Sequence, residues 1–122
     1  MKASKNFAYS EFACKCQDDC KEKSGRNIDP KLVTKLQSLR DIFGPLVLTS
    51  ASRCDAHNIK VGGAPKSQHR RQDDGYTKAV DVAISFNKYD FIREAMLLGL
   101  SVGIAKTFIH LDTRPNPAVF TY

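Results

Sequence analysis

A chain of 122 residues, 42% of them hydrophobic, is sized for one domain (1–122) with a modest core. The longest nearly apolar stretch, residues 95–105, is too short for a membrane span and is broken by Gly99, Ser101 and Gly103, which excludes membrane insertion. A formal charge of +6 suits either a solvated basic surface or attraction to an acidic polymer, and charge alone does not choose.

The first residues, Met1 to Asn6, have no apolar run behind them, so no signal peptide is visible. Residues 1–28 read as an N-terminal arm carrying Cys14, Cys16 and Cys20, with Cys54 farther on. The spacing is not that of a standard zinc finger. Three states are open for the thiols. They are free and buried, as expected of a protein maturing in cytoplasm; Cys54 is in a disulfide with one of the others; or all four hold a structural metal. Cys54 is expected to meet at least one of the other three.

Asp29-Pro30 predicts a helix start, an N-cap followed by proline at the first helical position. Leu32, Val33, Leu36, Leu39, Ile42 and Phe43 give it an apolar face, and Gly44-Pro45 stops it. Leu46–Thr49 reads as a short buried strand leading to Arg53, Asp55–Lys60 as a helical turn, and Gly62-Gly63-Ala64-Pro65 as a loop. Residues 79–84 alternate as a strand, with Val80, Val82 and Ile84 facing a core and Ala79, Asp81 and Ala83 turned away. A second helix is predicted from about Lys88 to Leu98, capped by Asn87 and ended by Gly99. Residues 102–105, 108–113 and 118–122 read as the last strands, and in the middle one Phe108, His110 and Asp112 share a face. The fold class is α+β, a small antiparallel sheet flanked by two main helices.

His69, Asp81 and His110 form a hydrolytic type of zinc set, because three protein ligands leave a fourth tetrahedral position open for water. One such zinc lowers the pKa of its bound water to about 7. Asp81, inside an apolar strand, needs a cation, hydrogen bonds or exposure; a salt bridge to Arg53 or Lys78 is the plainer alternative to a metal.

Ser67-x-His69, Gly75, Ala79-x-Asp81 and His110-x-Asp112-x-Arg114 resemble the peptidase M15 family, the zinc D-Ala-D-Ala carboxypeptidase group, with its S-x-H-x-x-G-x-A-x-D motif and late F-x-H-x-D segment. Residues 49–53 resemble the family's S-G-Y-R stretch, and Asn58 with residues 61–64 its N-x-x-V-G-G-A loop. Asp81 follows His69 by twelve positions (81 − 69), against seven in that motif; five extra residues lie within 70–78, and Thr77 stands where the motif has glycine. The resemblance implies a hedgehog and D,D-peptidase type of fold, and His69, Asp81 and His110 as ligands of one catalytic zinc. Arg53 then meets the substrate's carboxylate or polarises its carbonyl, a task suited to a two-donor fork. Asp112 is either the base that takes a proton from water or a residue that orients a ligand histidine, since Thr107 stands where other branches carry an acid. Ser67, which steadies the loop, and His57 are further substrate-side candidates. The charges of residues 70–76 are expected to be mostly solvated, with contact to substrate a second role for the segment.

The implied activity is zinc-dependent hydrolysis of peptidoglycan stem peptides or cross-links, as a D,D-carboxypeptidase or an endopeptidase such as a phage endolysin. Such an enzyme is expected to be a monomer, made in cytoplasm and acting on the cell wall, phage-encoded or released by lysis. A non-catalytic zinc-binding interaction module of the hedgehog type is the alternative. A basic nucleic-acid binder is disfavoured, because stacking motifs, a recognition helix and finger spacing are all missing.

Overall fold

The computed structural model describes residues 1–122. Helix α1 spans Pro30–Phe43. Asp29 caps it by accepting the Lys31 N–H at 3.0 Å. Gly44 ends it at φ 82°, in the region where a side chain is disfavoured, and donates to the Arg40 carbonyl. Leu32, Val33, Leu36 and Leu39 are buried as the periodicity predicts. Ile42 departs from that expectation, being 58% exposed. The last turn seats Phe43 against Phe86 and Phe91, and Ile42 falls outside this contact. A short helix α2 covers Asp55–Lys60, and α3 covers Lys88–Leu97 with Asn87 accepting from the Asp90 N–H.

Five strands, β1 Leu48–Ser50, β2 Ala79–Ala83, β3 Ser101–Ile104, β4 Phe108–Asp112 and β5 Val119–Thr121, form one sheet in the order β1-β2-β4-β3-β5. Three of its pairings are antiparallel; β5 runs parallel to β3, a departure from a wholly antiparallel sheet. The first strand starts two residues later than its apolar run suggests, and its pairing is irregular between Leu48 and Ser50.

Strand alternation divides β2 and β4 cleanly. Val80, Val82, Ile109 and Leu111 join a core cluster with the buried residues of α1 and α3. Asp81, His110 and Asp112 occupy the opposite face of the same strands. Phe7 and Phe12 belong to the core cluster, so the cysteine-bearing arm is anchored by apolar burial.

Candidate metal centre

Cross-strand register builds half of the site. Asp81 lies directly opposite His110 and Ala79 opposite Asp112, so a carboxylate and an imidazole meet on one sheet face. His69 arrives from the loop before β2. Its carbonyl accepts the Arg53 N–H at 2.9 Å, and its own N–H donates to Ser67 Oγ at 3.2 Å. One nitrogen of each histidine and one oxygen of Asp81 then lie within 4.8 Å of one another. All three residues are buried.

The hydrogen bonds behind the histidines decide what these atoms present. His69 Nδ1 lies 2.7 Å from the Ala51 carbonyl, which only accepts, so Nδ1 carries the proton and a neutral ring offers the Nε2 lone pair. Nε2 lies 3.1 Å from Asp81 Oδ1. His110 Nε2 lies 2.7 Å from Asp112 Oδ2, while Nδ1 faces the same Asp81 oxygen at 3.1 Å. Two lone pairs aimed at one carboxylate oxygen repel unless cations intervene. A single metal ion among these three donor atoms would relieve that repulsion. The donor set, two imidazoles and a carboxylate with partners behind the rings, fits zinc.

Charges around the set are held firmly. Burial pushes the Asp81 carboxyl up, but hydrogen bonds from His110 and His69 prevail and hold it down at about 2. Burial opposes charging of His110, yet Asp112 and Asp81 raise it above the ordinary histidine range. Asp112 is also opposed by burial and is held far below the usual carboxylate range by His110 and Arg114. The Arg114 guanidinium grips both Asp112 oxygens, with Nη2 at 2.6 Å from Oδ2 and Nε at 2.9 Å from Oδ1.

The donors sit in a cavity of about 640 Å³ lined also by Arg53, Ser67, Phe108, Arg114, Phe120 and Tyr122. Arg53 points Nη2 at Asp81 Oδ2 from 3.6 Å. Asp81 thus faces the histidines with one oxygen and Arg53 with the other; Lys78 pairs instead with Asp74 at 2.7 Å. Asp112 is fully buried behind His110 and does not line the cavity. Tyr122 is 70% exposed and borders the cavity; partial burial and the charge of Asp81 raise its phenol to about 12.

His57 is not brought to this cavity. Cys54 caps α2 and sets His57 in its first turn, beside Lys15 and Cys16 of the arm. Burial and the charge of Arg53 lower its pKa. The segment 70–78 also stays outside the cavity. It forms a small hairpin whose charges are mostly solvated, as expected, with Arg71, Asp73 and Asp74 exposed; Arg71 also binds buried Glu22 at 2.6 Å and Arg70 binds Asp55 at 2.9 Å.

Several contributors escape a reading of the sequence. Buried Asn58 accepts from Arg53 Nη1 at 3.3 Å and donates to the Ala64 carbonyl at 3.0 Å, steadying the guanidinium. A Cβ on Gly63 would lie 2.1 Å from Asn58 Oδ1, and one on Gly103 would lie 2.5 Å from the Phe120 ring. The N-x-x-V-G-G-A spelling signals the first of these contacts; no local signal points to the second.

The protein-family model described as Peptidase M15 matches residues 5–112. No curated protein matches the chain.

Proposed function

The chain belongs to the peptidase M15 family, whose members are metal-dependent, and from that premise we propose that it is a zinc peptidase hydrolysing peptidoglycan stem peptides or cross-links. The observation that carries the proposal is the convergence of His69, Asp81 and His110 donor atoms beside Arg53 in an open cavity. Those three residues would hold the zinc, which when bound supplies an activated water and polarises a carbonyl.

The chain's own groups divide the remaining work. Arg53, oriented by Ser50 Oγ at 3.2 Å and by Asn58, offers donors to a substrate carboxylate or to a developing oxyanion. Asp112 acts through His110: its carboxylate fixes the ring and tautomer that turn Nδ1 toward Asp81. Ser67 holds the His69 backbone. Phe108, Phe120 and Tyr122 form an apolar wall for a substrate side chain. Arg53, Lys66 and Arg114 make the rim basic, which favours an acidic peptide. Action on the wall as a phage or lysis enzyme, by a monomeric chain, belongs to the same proposal. No helix is long and apolar enough to cross a membrane.

One observation favours a second reading, a zinc-binding interaction module. Asp81 is the sole carboxylate lining the cavity, so no free acid faces a bound substrate as a base. Digestion of purified muropeptides followed by mass spectrometry separates the two. The zinc-loaded protein is expected to release D-alanine or cleave a cross-link, and His69→Ala to do neither. Intact muropeptides from every wall type, with zinc bound, would establish the module.

A further inference from the structure

The four cysteines lie away from that cavity and form a second donor cluster. The sulfurs of Cys14, Cys16, Cys20 and Cys54 all lie within 4.8 Å of one another. Cys16 and Cys20 Sγ are 3.5 Å apart. Four thiolates about 2.3 Å from a tetrahedral zinc are about 3.8 Å from each other. A disulfide instead draws one pair to about 2.0 Å and makes no demand on the other two sulfurs. The mutual closeness of all four matches a shell around one ion.

The backbone assembles this shell from distant parts of the chain. Cys14 follows a short 3-10 helix, Tyr9–Phe12; Cys20 caps another, Lys21–Ser24; Cys54 caps α2. The Ser52 N–H donates to the Phe12 carbonyl at 3.1 Å and the Cys14 N–H to the Glu22 carbonyl at 3.0 Å, so the approach is set by ordinary hydrogen bonds. Two backbone donors point at sulfur: Cys54 N–H to Cys14 Sγ and His57 N–H to Cys54 Sγ, each at 3.4 Å. Such donors suit thiolates. Four thiolates around zinc leave a net charge of about −2. Cations stand ready to offset it: Lys23 Nζ bonds the Cys14 and Cys16 carbonyls, and Lys15 and Lys60 line the adjoining hollow with Cys16.

We propose that Cys14, Cys16, Cys20 and Cys54 bind a structural zinc ion, separate from the one at His69, Asp81 and His110. All four tetrahedral positions are filled by protein, which leaves no place for a reacting water. The ion ties the arm to the start of α2. That helix carries Asn58, which orients Arg53, so the staple braces the substrate side of the cavity from behind.

The test is metal content and ligation, with protein handled under reducing conditions and reconstituted with zinc. Wild type is expected to bind two zinc ions, and Cys20→Ser to lose one. His69→Ala is expected to keep one zinc, whose X-ray absorption shows four sulfur neighbours at about 2.3 Å. Because His69→Ala leaves all four cysteines in place, it decides the matter even where Cys20→Ser fails to fold. Cobalt(II) added to His69→Ala should give intense thiolate-to-metal charge-transfer bands. A His69→Ala protein that takes up no zinc or cobalt would overturn the proposal. So would intact masses showing disulfides among these cysteines in zinc-replete wild type. Failure here leaves the zinc at the histidine site untouched, so the two readings fall separately.

Discussion

Replacing Asp112 with Asn tests whether this residue works through His110 or on the substrate. Its carboxylate lies 2.7 Å from His110 Nε2 and is gripped by Arg114, and no part of it reaches the cavity. An amide keeps the size but loses the charge that strengthens the bond to the ring. It can also turn its NH₂ toward Nε2 and favour the wrong tautomer. Removing a carboxylate behind a metal-binding histidine typically costs about 10–100-fold in metal affinity, which is about 1.4–2.7 kcal/mol. The Arg114 side chain is 31% exposed, so its charge can turn to water, and the damage should stay near this range. Zinc affinity is measured by competition with a chromogenic chelator. Turnover is then measured at saturating zinc on a wall peptide the wild type cleaves. Weakened zinc binding, with most turnover restored by excess zinc, supports positioning. Unchanged zinc affinity with turnover down about 10²–10⁴-fold would overturn the positioning role and make Asp112 the base.

Arg53→Ala should retain zinc and lose about 10²–10³-fold in turnover, the usual loss for an oxyanion donor; wild-type rates in a peptidase assay would free Arg53 from the substrate role. Gly63→Ala places a methyl 2.1 Å from Asn58 Oδ1 and 2.9 Å from Arg53 Nη1. Asn58 is buried and tied to Ala64, so it cannot retreat freely; a loss of about 1–3 kcal/mol is expected in urea unfolding, with lower activity at unchanged zinc content. Leu36→Ala, at a fully buried position of α1, should cost about 2–5 kcal/mol in the same assay. A loss under about 1 kcal/mol would mean that the contact of α1 with the sheet is looser than described.

What the amino-acid sequence determined by itself is local. Asp29-Pro30, Gly44, Asn87 and Gly99 bracket α1 and α3 because caps and positive-φ glycines act on their own backbone. The alternation of residues 79–83 and 108–112 puts Val80 and Leu111 in the core and Asp81 and His110 on the other face, since successive strand residues must point oppositely. The candidate metal set of His69, Asp81 and His110 was legible for that reason, together with the Ser-x-His and Ala-x-Asp spellings. The tertiary structure alone decided which distant residues share a neighbourhood. It buried Asp112 behind His110, turned His57 toward the arm, sent Arg71 to Glu22 and laid β5 parallel to β3. It brought Cys54 to all three cysteines of the arm, from some forty residues away along the chain, where the sequence led to the expectation of at least one. Periodicity is a property of the backbone at one position and its near neighbours, whereas these meetings depend on sheet register and loop paths, which no short stretch of sequence encodes.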